Sequence, residues 1–484
     1  MNYILFMADE MRAESVSCYG HPLVQMPNYD RIAKEGVKFE QCHVQHTVCS
    51  PSRCSAMTGW YPHVSGHRTL WHLLRPHEPS LFKYLKEAGF HIEWYGKNDL
   101  YAKESFTQCV DHYDHKEGGH AGPNPYDKND PRYYSFRYEP FPGTPEETGD
   151  MRNVQGGIDF LRSRQKDDKP FLLYLPLSLP HAPYAAPQPY HDMYDPQDIP
   201  ALRPAELSRK PDFFKLIQQY RRVDELPDGF LEKIQAIYLG MNSYMDWILG
   251  QLLKVLDETG LSDDTTLIVS SDHGDWAGDF GLVEKWPSGL DDTLTRVPLL
   301  IRAPGNTAGH VVEEPVALFD IMATVLDMEG IKAGHSHFAM SLVSQLKGQP
   351  GQPDRAVFAE GGYDLHETHC FEGRWSDYDI PRDTAHIYWP KGLQQQEHPE
   401  SVCRAAMMRT MDYKLIRRTA GVSELYDLKK DPRELNNVYD QPAYAPIRTD
   451  METRMLAWYM HTADVVPQNE DPRGLPPAQP VTGI

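Results

Sequence analysis

Short apolar runs alternate with stretches of helical periodicity over much of the chain. The runs are Tyr3–Ala8, His91–Tyr95, Phe171–Leu175, Thr266–Ser270 and Val297–Ile301. Between them lie predicted helices at Tyr29–Glu35, Leu81–Ala88, Gly156–Ser163, Phe230–Glu258 and Phe319–Asp327. The Phe230–Glu258 stretch is the clearest: Ile234, Ile237, Met241, Tyr244, Met245, Ile248 and Leu252 recur at helical spacing. This alternation predicts an α/β sheet with helices on both faces.

The strand ends carry chemistry. Tyr3–Ala8 runs into Asp9-Glu10, and His91–Tyr95 into Gly96-Lys97-Asn98-Asp99. Phe171–Leu175 leads to Pro180-His181, and Thr266–Ser270 to Asp272-His273-Gly274. Any one of these is an ordinary strand-to-loop residue. If the strands run parallel, all four groups meet in one crevice at the carboxyl edge. Two long loops, Gly118–Glu147 and the proline-rich His181–Pro204, are placed to cover or recognise. A boundary falls near 345–355, giving a domain over 1–350 and a smaller one over 351–484 that ends in a proline-rich tail, Val465–Ile484. The tail reads as an extended arm through which a homo-oligomer could form.

Composition narrows the choices. The 484 residues suit one large and one smaller domain, and the 40 prolines and 34 glycines fit many ordered loops. A net charge of -21 argues against nucleic acid as a partner, but a metal and a few buried cations can still hold a small anion. Seven scattered cysteines do not read as a disulfide framework. No basic leader and no membrane-length apolar segment is visible, so a cytoplasmic location without membrane attachment is the expectation.

The decisive string is Cys49-Ser50-Pro51-Ser52-Arg53-Cys54-Ser55-Ala56-Met57-Thr58-Gly59. Pro51 suits a first helical turn and Gly59 a helix end, which places Cys49 at a helix N-terminus that favours an anion. Arg53, one turn on, returns to the same end. A lone cysteine here reads first as an inert core residue. A thiolate phosphatase needs five residues between Cys and Arg, and three stand here. The third reading is a resemblance: the string is similar to the sulfatase signature Cys-X-Pro-Ser-Arg followed by Thr-Gly, whose cysteine is oxidised to formylglycine.

The resemblance spans most of the chain. Pro27-Asn28-Tyr29-Asp30-Arg31-Ile32-Ala33 resembles the segment before the sulfatase nucleophile, and Ser271-Asp272-His273-Gly274-Asp275 with Gly278-Asp279 and Lys285 resembles the second metal and lysine motif. Arg296-Val297-Pro298 follows as it does in sulfatases, and Glu424-Leu425-Tyr426-Asp427-Leu428 with Asp431-Pro432 and Glu434 is similar to the closing strand region. The chain is identified as a member of the sulfatase family of the alkaline phosphatase superfamily. That implies a three-layer α/β/α sandwich of the alkaline phosphatase type, with a smaller C-terminal α+β domain on an antiparallel sheet.

It also implies roles. Asp9, Glu10, Asp272 and His273 would hold a divalent metal. Three carboxylates suit Ca²⁺, Mg²⁺ or Mn²⁺; Glu10 stands where Asp is common and is longer by one methylene, and His273, where Asn is common, softens the site and brings Mn²⁺ in beside Ca²⁺. Cys49 as formylglycine is the nucleophile, Arg53 stabilises it, and Lys97 and Lys285 neutralise the sulfate. His181 or Lys285 protonates the leaving alcohol. Asp99 stands where many sulfatases carry the histidine of sulfate release, so it either takes the base role or orients Lys97; the plainer reading is that it caps a turn.

The implied reaction is hydrolysis of a sulfate monoester of a sugar or aryl alcohol, after maturation by a formylglycine-generating enzyme. Phosphonate monoester or phosphodiester hydrolysis on the same site is the alternative, and a non-catalytic sugar-binding relative a more distant one. The substrate is not readable. Trp60, Tyr61, His63, His67, Trp71 and His72 after the nucleophile, and His366, His369, Arg374, Trp375 and Trp389 further on, could stack on a ring or simply pack.

Overall fold

The computed structural model describes residues 1–165, 167–206, 208–372 and 383–466. Nine strands form the central sheet: β1 Asn2–Ala8, β2 Val37–His43, β3 His91–Tyr95, β4 His112–Asp114, β5 Phe171–Pro176, β6 Thr265–Ser271, β7 Arg296–Val297, β8 Leu299–Arg302 and β9 His310–Ala317. Their order is β4-β3-β5-β1-β6-β8-β2-β7, with β9 paired to β2. From β4 to β6 all neighbours are parallel. The pair β6–β8 is antiparallel, and so is β8–β2, so β2 again points the same way as β6.

Every residue of β1 is buried, as a central parallel strand requires. Its side chains alternate between two cores. Ile4, Phe6 and Ala8 pack with the helices Pro27–Glu35, Gly149–Ser163 and Phe230–Thr259. Tyr3, Leu5 and Met7 pack with the helices Cys49–Thr58, Leu81–Glu87 and Asp320–Met328. The sheet is thus sandwiched between helices, as expected.

A second sheet, antiparallel and four-stranded, contains β10 Val357–Gly361, β11 Ala405–Arg409, β12 Tyr413–Arg418 and β13 Glu424–Asp427 in that order. Met451, Met455 and Trp458 of the helix Ala445–Thr462 pack on it together with Tyr61 and Phe319 of the first part of the chain. The motif after β13 is structural. Asp431 accepts from the backbone of Leu435 at 3.0 Å and Asn436 at 2.7 Å, and Glu434 accepts from Asp292 N at 2.8 Å while pairing with Lys414.

Three details differ from the sequence reading. Val297–Ile301 is not one strand: Pro298 has no N–H to give a ladder, and β7 and β8 lie on either side of it. The Gly156–Ser163 helix begins earlier, at Gly149, capped by the Thr148 side chain at Met151 N. Its interior Gly156 is a packing glycine, since a Cβ there would lie 2.5 Å from the Tyr95 ring. Strands β2 and β9 were not anticipated, because Val37–His43 mixes polar and apolar residues. The tail from 467 onward, with any oligomer built on it, lies outside the described residues, as do Arg374 and Trp375. All seven cysteines are free thiols. Among the described residues no helix is long and apolar enough to cross a membrane.

Candidate active site

The four polar strand ends do converge. Asp9 and Glu10 follow β1, Lys97 and Asp99 follow β3, His181 follows β5, and Asp272 and His273 follow β6. These strands are adjacent and parallel, so their carboxyl ends open on one edge. The chain leaving β2 reaches the same edge and delivers Cys49.

The Cys49–Thr58 helix is buried along its whole length and ends at Gly59, which adopts the left-handed conformation (φ 71°) that glycine tolerates best. Ser52 Oγ donates to the Asp272 carbonyl at 2.6 Å, which pins the helix start to the end of β6. Cys49 Sγ then lies 3.5 Å from Asp9 Oδ1 and 3.3 Å from His273 Nε2. Burial, then the Asp9 carboxylate, push the thiol well above its ordinary pKa. A protonated thiol is a poor nucleophile, so the unmodified side chain is not poised for thiolate chemistry.

Arg53 Nε donates to Asp272 Oδ2 at 2.7 Å and Nη2 to Asp9 Oδ2 at 3.1 Å. Lys97 Nζ pairs with Asp9 and lies 2.7 Å from Asp99 Oδ2. Burial alone would raise the Asp9 pKa; the neighbouring cations, Lys97 and Arg53, outweigh it and hold the carboxyl well below the usual range. Asp99 likewise stays below its ordinary value: burial opposes ionisation, but Lys97 and Arg53 prevail. The turn after β3 is capped by Asn98 instead, whose Oδ1 accepts from Leu100 N at 3.1 Å and Tyr101 N at 2.9 Å.

Asp9, Asp272, His273 and Cys49 bring four possible ligand atoms within 4.8 Å of one another. His273 Nδ1 lies 2.9 Å from the Gly274 carbonyl and so carries the hydrogen, leaving the Nε2 lone pair facing Asp9 and Asp272. That is how a metal-bound imidazole is usually held. The donor set fits a divalent cation. Glu10 groups instead with Asp9 and His181. Its side chain pairs with Lys285, while its backbone N–H points to Asp272 Oδ1 at 3.3 Å. Glu10 sits at φ 69°, a strained value for a non-glycine residue.

Lys285 Nζ lies 2.9 Å from His181 Nε2, and His181 Nδ1 lies 2.6 Å from the Ala182 carbonyl. The carbonyl fixes the hydrogen on Nδ1, so Nε2 accepts from the ammonium. Burial first, with Lys285 reinforcing it, lowers the His181 pKa and keeps the ring neutral. The loop that carries His181 hangs from Asp150, which accepts from Ser178 N at 2.9 Å and Leu179 N at 2.8 Å.

In front of Cys49 is a cavity of about 280 Å³. Val48, Leu70, Trp71 and Tyr388 give it apolar walls; Glu284, Glu372, His386 and Lys391 add polar ones. Of the described aromatic and histidine residues singled out from sequence as possible substrate contacts, Trp71 alone is among these. Trp60 donates to the Ser336 carbonyl at 2.8 Å, Tyr61 and His63 pack on Trp458, and His67 pairs with Glu78 at 2.9 Å. Glu284, Glu372, Tyr388 and Lys391 were not singled out: they belong to no recognised motif, and only tertiary contact brings them to the cavity in front of Cys49.

The sulfatase sequence model matches residues 1–331, more than half of the chain, and a second model, for the C-terminal part of N-sulphoglucosamine sulphohydrolase, matches 388–460. The chain belongs to the sulfatase family. It is 28% identical to a multifunctional alkaline phosphatase superfamily protein, PehA, of Trinickia caryophylli, over 98% of each chain. It is 27% identical to an ulvan-active sulfatase of Formosa agariphila, over 94% of this chain and 80% of that one. Its fold superposes on a phosphonate monoester hydrolase of Agrobacterium radiobacter with a TM-score of 0.76 at 23% identity, over 95% of this chain and 96% of the other. The sulfatase-family chain is therefore an enzyme of the alkaline phosphatase superfamily.

Proposed function

We propose that this sulfatase hydrolyses a sulfate monoester of a sugar or aryl alcohol, with Cys49 converted to formylglycine and Ca²⁺ or Mn²⁺ held by Asp9, Asp272 and His273, with Glu10 beside them. The observation that carries this reading is the position of Cys49 Sγ, within 3.5 Å of both Asp9 and His273 at a buried helix N-terminus. Asp9, Asp272 and His273 would hold the cation, which would supply Lewis acidity, and formylglycine at position 49 would supply the nucleophilic hydroxyl. The chain's own residues do the rest. Arg53 locks two carboxylates of the donor set in place. Lys97 and Lys285 offer positive charge to the sulfate oxygens. With His181 neutral and accepting, Lys285 is the group that faces the leaving oxygen with a proton. Asp99, ionised beside Lys97, is available as a base or as the anchor of that lysine.

Cys49 is 3% exposed, so a formylglycine-generating enzyme would reach it before the chain closes. The test is peptide mass spectrometry at Cys49 together with sulfate release from a panel of aryl and sugar sulfates. The thiol should be replaced by the aldehyde, and Cys49→Ala should lose turnover. Full activity with an intact thiol would overturn the reading.

Phosphonate monoester or phosphodiester hydrolysis on the same site is the second reading. Its support is the relative named multifunctional, alike over the whole length of both chains. Rates on aryl sulfates and aryl phosphonate monoesters with the same phenol decide between the two.

A further inference from the structure

Glu284 is a buried carboxylate shared by three cations. Its two oxygens accept from Lys391 Nζ at 2.9 and 3.1 Å, while Lys285 Nζ lies 3.2 Å and Arg221 Nη2 3.5 Å away. The cations come from separate parts of the chain. Lys285 follows β6, Arg221 ends the helix Phe213–Tyr220, and Lys391 lies in the helix Trp389–Glu397. Glu284 is 1% exposed and sits at φ 65°, in the left-handed region that side chains seldom adopt. Its backbone is pinned there: Glu284 N donates to Tyr184 Oη at 2.8 Å, and its carbonyl accepts from Trp276 N at 3.3 Å. Such strain persists only where the surroundings over-determine it, and it gathers at functional sites.

Lysine is a flexible chain with a point charge at its end, so its aim must come from its partners. Two partners of Lys285, Glu10 and His181, belong to the donor cluster and the reacting groups themselves. Glu284 belongs to neither. A carboxylate paired with Lys285 alone would also cancel the charge that the sulfate needs. Lys391 and Arg221 compensate Glu284, so Glu284 can hold Lys285 without itself cancelling that charge. Lys391 also lines the cavity next to Tyr388.

We propose that Glu284 is a positioning residue: it aims the Lys285 ammonium at the leaving oxygen and, through Lys391, ties that lysine to the C-terminal wall of the cavity. This rests on the ester-hydrolase reading above. It has a consequence that a purely structural role lacks. A nitrophenolate departs with little help, whereas a poor leaving group leans on Lys285. Loss of Glu284 should therefore slow the reaction in proportion to the basicity of the leaving group.

The experiment uses the full-length, matured, metal-loaded enzyme and two ester series, sulfates and phenylphosphonate monoesters, of phenols from 4-nitrophenol to phenol. In Glu284→Gln, kcat/KM should fall on the order of a hundredfold on the phenyl ester but only about threefold on the nitrophenyl ester, the span expected for losing help to a leaving group. The plot of log kcat/KM against phenol pKa should steepen, with bound metal unchanged. Glu284→Asp keeps the buried charge but draws it back by one methylene, and should steepen the plot less. It carries the same test if Glu284→Gln does not accumulate. An equal loss on every ester, or an unchanged slope, overturns the proposal while leaving the hydrolase reading intact. A wild-type enzyme inactive on both series and on the panel of sugar sulfates overturns the hydrolase reading and this inference with it.

Discussion

Arg53 joins Asp272 to Asp9, donating to the first at 2.7 Å and to the second at 3.1 Å, with all three side chains fully buried. One guanidinium therefore fixes the spacing of two candidate metal ligands that stand 263 residues apart in sequence (272 − 9). Removing one partner from such a buried set strands the others.

Asp272→Asn keeps the shape of the ligand but removes its charge. Metal affinity should fall, with turnover down on the order of a hundredfold or more, as when a charge-stabilising group is lost at a reacting centre. Metal content of the purified variant, turnover before and after chelation, and add-back of Ca²⁺ and Mn²⁺ are the checks. Wild-type turnover in Asp272→Asn would remove it from the donor set, and restoration by Zn²⁺ alone would contradict the hard-ligand argument.

Asp99 is released from turn capping by Asn98 and is held beside Lys97. Asp99→Asn should leave the first turnover fast and slow the steady state, with sulfated enzyme accumulating, if the carboxylate takes the proton of the release step. Rapid-quench single-turnover kinetics separate the phases. A first turnover slowed as much as the steady state would instead assign Asp99 to the orientation of Lys97.

Asp246 explains why the segment around Asn28 is built as it is. Its carboxylate accepts from Asn28 N and Tyr29 N, each at 2.8 Å, and from Asn28 Nδ2 at 2.8 Å, so it caps the Pro27–Glu35 helix from a distant helix. Asp246→Ala orphans those donors in a buried place and should cost roughly 2–4 kcal/mol of stability. Denaturant unfolding measures that loss. Turnover per folded molecule should stay at the wild-type level, because Asp246 touches none of the reacting groups.

His335 predicts acid sensitivity. Its Nε2 lies 2.7 Å from the Thr58 carbonyl and its Nδ1 2.7 Å from Tyr84 Oη, so the neutral ring donates to one and accepts from the other. Burial lowers its pKa from 6.5 to about 4. A depressed histidine pKa means that the unfolded chain binds the proton first. The stabilisation is complete above about pH 6.5 and is lost as pH falls towards 4, with an upper limit of about 3 kcal/mol. Melting temperatures at pH 7 and pH 5 should differ more for the wild type than for His335→Gln. An equal acid shift in both proteins would remove His335 as the cause.

Strong local patterns made much of this molecule legible in advance. The Phe230–Glu258 periodicity became the helix Phe230–Thr259, and the run Tyr3–Ala8 became a strand buried on both faces. The elements that escaped are those whose pattern is set by partners. Strand β2, Val37–His43, carries Lys38, Glu40 and Gln41 because its side chains meet two different environments.

The sequence by itself determined the candidate nucleophile and the candidate groups around it, because each lies in a short string whose spacing survives without the fold: Cys49 four residues before Arg53, Asp9 at a strand end, Asp272 beside His273. Only the tertiary structure decided how those groups divide. It set Asp9, Asp272 and His273 around Cys49 and turned Glu10 to Lys285. It gave turn capping to Asn98 and left Asp99 with Lys97. It also brought Glu284, Tyr388 and Lys391 to the cavity. The reason is physical: side chains at the ends of parallel strands are placed by strand order and register, and contacts between distant segments are fixed by packing, neither of which is written in local spacing.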